Sequence, residues 1–300
     1  MNDIPNKLKT LIMNKIQETR YRFLLRFKPR IILDQKWKNA FGYPIDWEHP
    51  RDINEIIQYL LVYTDTSLWS KLADKFLVRN YVKKCGLEDL LIPLYGVWKS
   101  ANDIDFDALP DKFVLKCNHD SGSTRVIDKQ GDPNFQEITA FYASRVKMDF
   151  GNKGELHYRR IKPRILAEKY LDGDAKHAFP VDYKVWCFNG VPHHILACYG
   201  RTSQEVFINV YDLNWVCHPE YTVEDHHIKI GDGSLPKPTC LPYMLNAAAK
   251  LSHGFPEVRV DFYEIKGSLF FGEMTFTSMF GRMKYYTPEY LQEMGAQVLL

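Results

Sequence analysis

Hydrophobic residues recur at helical spacing in five segments of the chain. In the first, residues 7–28, the apolar side chains share one helical face: Leu8, Leu11, Ile12, Ile16, Phe23 and Leu24. Many cations lie between them, so an amphipathic helix is predicted. The same spacing predicts four later helices: residues 51–63, 67–85, 134–148 and 242–254.

Shorter apolar runs with a strand-like pattern alternate with these helices. They predict strands at three places: residues 90–98, 111–116 and 164–171. Two hairpins are also predicted, one over residues 181–200 with its turn at Asn189-Gly190 and one over residues 258–276. Residues 202–240 are rich in glycine and proline and read as loop. Helices mixed with hairpins indicate an α+β fold with antiparallel sheets.

The second hairpin segregates polar from apolar residues if Lys266-Gly267-Ser268 forms a three-residue loop. Residues that face each other then sum to 534, which pairs Val260 with Met274 on an apolar face. The opposite face carries two facing polar pairs: Asp261 with Glu273, and Arg259 with Thr275.

Two facing carboxylates about 5 Å apart repel each other unless a cation offsets their charge. Arg259 is one such cation in the sequence. A Mg²⁺ ion is another, since it prefers oxygen ligands and is held by one or two carboxylates together with substrate phosphates. The pattern alone also fits an ordinary solvated polar face.

Composition excludes several classes of protein. The net charge of +2 over 300 residues gives no reason to expect nucleic-acid binding. No signal peptide and no membrane span are expected, because charged residues interrupt every apolar run. The six cysteines are scattered without CxxC pairs. Reduced thiols in a cytoplasmic protein are therefore expected.

The stretch "DKFVLKCNHDSGSTRVID", residues 111–128, joins a strand ending at Lys116 to a soft loop. The segment Ser121-Gly122-Ser123 suits a phosphate cradle, but it also suits an ordinary hairpin. If phosphates bind here, Asp120 must point away from them or meet a cation.

Four features in chain order resemble the ATP-grasp superfamily. They are Lys75 in a predicted helix, Lys116 before the Ser/Gly loop, the strand "RILAEKYL" and the acid-bearing hairpin. Within this superfamily, the sequence motifs resemble those of the TupA-like ATP-grasp family of teichuronopeptide and capsular polysaccharide clusters. Three stretches carry that closer resemblance: "FVLKCNHDSG", "DYKVWCFNG" and "FGEMTFTSMFG".

The resemblance implies an ATP-grasp fold in which two antiparallel-sheet lobes grip ATP, with a helical N-terminal region. It divides the chain into residues 1–95, a central lobe of residues 96–171 and a C-terminal lobe of residues 172–300. ATP and Mg²⁺ are the cofactors implied. The Ser/Gly loop is expected to be mobile without nucleotide.

The resemblance also assigns residues to roles. Lys75 and Lys116 contact the phosphates, and Ser121, Gly122 and Ser123 close over them. Further nucleotide contacts are assigned to five residues: Glu168, Lys169, Tyr170, Leu171 and Asp182. The metal ligands are Asp261, Glu273 and Thr275, where Thr275 replaces the family's usual asparagine. The catalytic residues are Lys116, Lys184, Arg259 and Arg282.

The implied activity is ADP-forming ligation of a carboxylate to an amine through an acyl phosphate. An amino acid would be joined to an acidic sugar or a peptide in cell-surface polysaccharide assembly. The basic N-terminal helix would contact the inner membrane face or assembly proteins. Two alternatives stay open: a metal-dependent glycosyltransferase and a scaffold without catalysis.

Overall fold

The computed structural model describes the backbone of residues 6–173 and 179–300 and the side chains of residues 14–173 and 179–300. Within these ranges lie eight α-helices: α1 (Asn6–Phe27), α2 (Pro29–Phe41), α3 (Ile53–Tyr63), α4 (Ser67–Leu72), α5 (Val78–Lys84), α6 (Phe135–Arg145), α7 (Leu241–Ser252) and α8 (Pro288–Ala296). Ten strands accompany them: β1 (Leu94–Trp98), β2 (Lys112–Cys117), β3 (Arg125–Asp128), β4 (Ile165–Lys169), β5 (Asp182–Phe188), β6 (Val191–Tyr199), β7 (Val206–Tyr211), β8 (Ile228–Ile230), β9 (Glu257–Ile265) and β10 (Ser268–Thr275).

The helix predicted over residues 67–85 is two helices, and Lys75 lies in the turn between α4 and α5 rather than in a helix. Asp74 causes the break, since its side chain accepts the backbone N–H groups of Phe76 and Leu77 at 2.9 and 3.1 Å. An aspartate that bonds nearby N–H groups competes with the helical hydrogen-bond pattern.

The sequence prediction missed two helices, α2 and α8. Both carry the expected boundary signals, because each has proline in its first turn. α2 also ends at Gly42 in the left-handed conformation (φ 84°). Strands β7 and β8 were missed as well, within the segment read as loop.

The strands form two sheets. The smaller has the order β1-β4-β2-β3 and is antiparallel throughout. The larger has the order β10-β9-β5-β6-β7-β8 and is antiparallel except for the parallel pair β7–β8, so it is a mixed sheet. The turn between β5 and β6 is Asn189-Gly190, as predicted, with φ of 52° and 81°.

The predicted three-residue loop between β9 and β10 is wrong, but the facing pairs it was meant to explain are confirmed. Ile265 faces Ser268 across the two-residue turn Lys266-Gly267, whose φ values are both positive. A bulge at Gly272 then shifts the register by one residue, so that Asp261 faces Glu273. A Cβ at Gly272 would lie 3.0 Å from the Asp261 carbonyl oxygen, which favours glycine there.

Two hydrophobic cores support these sheets. The larger core joins the six-stranded sheet to helices α2 to α5, α7 and α8, with Trp37, Trp186 and Phe276 fully buried. The smaller lies between α6 and one face of the four-stranded sheet and includes Phe113 and Tyr142. The domain boundaries proposed from sequence stay predictions.

α1 packs on α2, and Tyr21 donates a hydrogen bond to the Asn152 carbonyl oxygen at 2.6 Å. In the described part of α1, the apolar face predicted from sequence does not pack against the protein. Ile16 and Phe23 of that face are exposed, whereas Leu25 is buried. The side chains of Leu8, Leu11 and Ile12 lie outside the described residues. In the described chain we find no helix with the length and apolarity to cross a membrane.

Candidate functional site

A cleft between the two sheets is lined by ionisable side chains from both. On the cleft face of the four-stranded sheet, Lys116 and Glu168 are diagonal neighbours on β2 and β4, and their side chains meet at 2.5 Å. Arg79 of α5 approaches the same carboxylate at 3.6 Å. Glu168 is almost fully buried, so both cations are fixed beside a charge that water does not screen.

Lys75 is fixed at the mouth of this cleft by its own backbone. Its N–H donates to the carbonyl oxygen of Asn118, the first residue of the Ser/Gly loop, at 3.1 Å. The Asn118 side chain in turn accepts the Arg164 N–H at 2.6 Å and donates to the Lys162 carbonyl oxygen. The turn that carries Lys75 and the loop after β2 are therefore held together.

The Lys75 ammonium group joins the loop to the acid-bearing hairpin. It donates to the Asp120 carbonyl oxygen at 2.9 Å and lies 3.1 Å from the Glu273 carboxylate. Burial alone would lower the pKa of Lys75, but Glu273, Asp120 and Glu155 together outweigh it and the pKa is raised. Lys75 is therefore a cation at the point where the two sheets approach each other.

The Ser/Gly loop is anchored at its base and exposed at its tip. The Ser123 hydroxyl accepts the Cys117 N–H at 2.8 Å and donates to the Asp120 carboxylate. Arg145 of α6 binds Asp120 at 2.6 Å and the Ser121 carbonyl oxygen at 2.8 Å. Asp120 thus meets a cation, as the phosphate-cradle hypothesis required. Gly122 and the Ser121 side chain are exposed, and loop mobility stays a prediction.

Replacement of Arg145 by glutamine is expected to release the loop. The substitution leaves the fully buried Asp120 carboxylate without its cation, which costs about 3–5 kcal/mol of unfolding free energy. We expect faster hydrogen exchange of amides 118–124 and a lower urea midpoint. The exposed Lys147 provides the control, since Lys147→Gln removes the same charge nearby. Equal exchange in both variants would show that Arg145 does not anchor the loop.

On the six-stranded sheet, a buried ion network surrounds Asp261. Arg259 donates from Nε and Nη2 to its two carboxylate oxygens, each at 2.7 Å. Lys184 of β5 faces Asp261 across the strands and binds it at 2.6 Å, and it also binds Asp182 at 2.5 Å. The sequence-predicted residues Asp182, Lys184, Arg259 and Asp261 are thus brought together.

Glu273 is the carboxylate of this hairpin that reaches the cleft, with 34% of its side chain exposed. Burial would raise the pKa of this carboxyl, but Lys75, Lys184 and Arg259 hold it at about 2. Thr275 lies beside it, with its hydroxyl 3.4 Å from Glu273 and 3.2 Å from the Arg259 guanidinium.

The residues present fit a Mg²⁺ ion unequally. Glu273 is ionised and open to the cleft, so it suits an ion that arrives with substrate phosphates. Both oxygens of Asp261 are already bonded to Arg259 and Lys184. No cluster of three or more His, Cys, Asp or Glu side chains suited to a metal occurs among the described residues. The metal roles of Asp261, Glu273 and Thr275 stay predictions.

Sequence reasoning missed Glu155 and Tyr263, besides Arg79 and Arg145 described above. Glu155 accepts a hydrogen bond from Thr277 at 2.5 Å, and burial raises the pKa of its carboxyl to about 7. Tyr263 of β9 faces Asp182 of β5, and the Asp182 charge together with burial raises the pKa of the Tyr263 hydroxyl. Neither residue belongs to a motif, so only the fold reveals them.

The segment after the hairpin has a strained backbone. Met279 and Phe280 have φ of 48° and 61°, in the left-handed region that side chains rarely adopt. Gln58 of α3 holds this conformation by donating to the Phe280 carbonyl oxygen at 2.7 Å. Arg282 lies two residues after Phe280. Burial lowers the pKa of its guanidinium and the Glu155 charge opposes that shift, and the catalytic role of Arg282 stays a prediction.

The remaining predicted nucleotide contacts lie at the end of β4. Lys169 has an exposed side chain, and its N–H donates to the Pro93 carbonyl oxygen at 2.9 Å. Tyr170 lies under the Lys112 ammonium group at 4.1 Å from the ring centre. Leu171 is partly buried just beyond the strand. Their assigned contacts to the nucleotide stay predictions.

Two sheets that meet at a cleft lined with lysines and carboxylates form the arrangement expected of an ATP-grasp protein. The sequence profile of the TupA-like ATP-grasp family matches residues 55–299, most of the chain. The chain therefore belongs to this family, and the predicted α+β ATP-grasp fold is confirmed. No curated protein matches the chain.

Solved structures similar to this chain include several ATP-grasp ligases. The D-alanine–D-alanine ligase from Bacillus anthracis complexed with ATP is 15% identical, with a TM-score of 0.38, over 68% of this chain and 53% of the ligase. The ATP-grasp ligase PsnB complexed with a minimal precursor is 14% identical, with a TM-score of 0.44, over 95% and 74%. Phosphoribosylamine–glycine ligase from Thermotoga maritima is 11% identical, with a TM-score of 0.41, over 72% and 52%. This chain spans about half the length of the first and third.

Proposed function

We propose that the protein is an ATP- and Mg²⁺-dependent carboxylate–amine ligase. A carboxylate oxygen of the acceptor attacks the γ-phosphorus of ATP, and ADP leaves. The nitrogen of an amine then attacks the carbonyl carbon of the acyl phosphate. Phosphate leaves, the amine loses its proton and an amide is formed.

One observation carries this proposal: the Lys75 ammonium group bridges the Ser/Gly loop and the acid-bearing hairpin. A triphosphate in the cleft would meet Lys75 on one side and Lys116 on the other. Each lysine now neutralises a carboxylate, Glu273 or Glu168, so it is already placed and charged before nucleotide binds. Preorganised charge of this kind is the main means by which phosphoryl transfer is catalysed.

The remaining groups divide into those that face the cleft and those that position others. Bound Mg²⁺ would supply further neutralisation of the phosphates beside Glu273. Arg259 is 8% exposed and bonded to Asp261, Ser278 and Thr275, which supports a positioning role within the predicted catalytic set. Lys184 is similarly enclosed between Asp182 and Asp261.

We further propose that the carboxylate belongs to an acidic sugar or peptide and that the amine is an amino acid, in cell-surface polysaccharide assembly. The name and resemblance of the family support this substrate class. A peripheral site at the inner membrane face, reached through α1, is part of the same proposal. In its support, α1 exposes Phe23 and Phe27 beside several cations.

The test is incubation with ATP, Mg²⁺ and a panel of uronic acids and amino acids, with the nucleotide products separated. We expect ADP release that requires both a carboxylate and an amine. Release of a nucleoside diphosphate only from a nucleotide sugar would instead support a glycosyltransferase. Absence of any turnover together with absence of ATP binding would support a scaffold.

A further inference from the structure

A second cavity, which we call the arginine cleft, lies between α1, the end of α3 and residues 149–160. Its volume of about 720 Å³ falls within the roughly 300–1,000 Å³ of ligand pockets. Four arginines line it: Arg22, Arg26, Arg159 and Arg160. Asp149 is the one carboxylate among the described lining residues, and Arg22 is paired with Glu18 at 2.6 Å, so the cleft carries a net positive charge from its other arginines.

The absence of a side chain at Gly151 leaves room for the Arg159 side chain in the arginine cleft. Its stem crosses Gly151, where a Cβ atom would lie 2.1 Å from the Arg159 Cγ atom. Its guanidinium donates to the Asn152 side chain at 2.9 Å, while the buried Nε atom has no hydrogen-bond partner in the described chain. The Nε atom is enclosed by protein, but Arg159 as a whole is partly exposed in the lining, so its guanidinium can present charge to an anionic ligand.

The segment that lines the arginine cleft also reaches the ATP-grasp cleft. Asn152, Leu156 and Arg159 line the arginine cleft, and Glu155 of the same segment accepts a hydrogen bond from Thr277 at 2.5 Å, just beyond β10. An extended anion bound at Arg159 would therefore extend with one end toward the acid-bearing hairpin.

We propose that the arginine cleft binds an anionic oligosaccharide segment of the acceptor, with a carboxylate on successive sugars. This inference rests on the proposed ligase function and gives its acceptor a place and a chemistry. Guanidinium groups bind carboxylates in paired, directed hydrogen bonds. Holding the chain here would position its reacting carboxylate for attack in the neighbouring cleft.

The lining favours a sugar chain over other polyanions. Among the described residues no aromatic ring lines the arginine cleft, so these residues offer no platform on which nucleobases could stack. Apart from Asp149, the groups left to a ligand are chiefly guanidinium N–H donors. The Thr64 hydroxyl already donates to the Leu60 carbonyl oxygen, and the Thr66 and Asn152 side-chain oxygens already accept from Arg160 and Arg159. The N–H groups of an acidic peptide would therefore find few acceptors, whereas sugar hydroxyls can accept as well as donate.

The experiment is calorimetric titration of the full chain with hexagalacturonate, in the absence of ATP. Two exposed arginines are replaced in the test variant, Arg26→Gln with Arg160→Gln. The control variant removes the same charge from exposed positions outside the arginine cleft, Arg20→Gln with Lys147→Gln. We expect affinity to fall about tenfold or more in the test variant only, because two charge-assisted contacts are lost. The single variant Arg26→Gln serves if the double variant is less stable.

Three results would overturn the inference: equal binding by both variants, equal binding of neutral maltohexaose, or tighter binding of oligoglutamate or of phosphatidylglycerol vesicles through the same arginines. ATP binding by the wild-type protein is measured on the same preparation. If ATP binds and hexagalacturonate does not, the arginine cleft is wrongly assigned while the ligase proposal stands. If neither binds, the proposed function fails first.

Discussion

Replacement of either Lys75 or Lys116 by methionine is expected to lower ATP-dependent ADP release about 100-fold or more. Methionine keeps most of the volume of the side chain but removes the charge that would face the phosphates. In each variant the paired carboxylate also loses its nearest cation, since Glu273 keeps Arg259 at 3.8 Å and Glu168 keeps Arg79 at 3.6 Å. Nucleotide binding should weaken in parallel, measured by calorimetry with ATP and Mg²⁺.

The control for these lysines is Lys83→Met, which breaks an exposed pair with Glu88. It should change neither turnover nor ATP affinity, since exposed pairs contribute little. Thermal unfolding of all three variants shows whether any loss reflects misfolding. ATP binding that survives in both cleft variants at the wild-type level would contradict the ligase hypothesis, because a glycosyltransferase site has no need of two such lysines.

Asp261→Asn and Glu273→Gln are expected to differ in stability although both abolish turnover. Asp261 is 1% exposed and balances Arg259 and Lys184, so its neutralisation leaves two buried cations and costs about 3–5 kcal/mol of unfolding free energy. Glu273 is one-third exposed at the cleft, and Lys75 keeps its bond to the Asp120 carbonyl oxygen when the Glu273 charge is lost. Its variant should unfold within about 1 kcal/mol of the wild type.

Urea denaturation and ADP release, measured on the same two variants, separate these roles. A large stability loss in Asp261→Asn, with near-wild-type stability in Glu273→Gln, would assign Asp261 a structural role. Glu273 would then be the carboxylate that acts at the reacting phosphates. Full activity in Glu273→Gln would remove this carboxylate from the reaction and with it the predicted metal site.

Strand alternation was sufficient to predict which residues of the acid-bearing hairpin face each other. It could not predict the turn, because a two-residue loop followed by a bulge at Gly272 gives the same pairs as a three-residue loop. Burial of Val260 and Met274 on the opposite face determines which residues face each other. It does not determine the path of the chain through the turn.

The sequence pattern could not predict the residues that complete the cleft, for a different reason. Arg145 and Glu155 meet Asp120 and Thr277 only through the packing of α6 and residues 150–160 against the sheets. These contacts join residues 25 and 122 positions apart, and no local pattern encodes them. Conversely, Asp74 separates α4 from α5 by local hydrogen bonds, a signal that the apolar spacing of residues 67–85 concealed.

The most direct test of the ligase account follows oxygen from the acceptor to phosphate. An acceptor carboxylate labelled with oxygen-18 is incubated with the protein, ATP, Mg²⁺ and an amino acid, and the released phosphate is analysed by mass spectrometry. Attack of the carboxylate on the γ-phosphorus predicts one labelled oxygen in each phosphate formed. Unlabelled phosphate, released alongside an amide product, would contradict the acyl phosphate route.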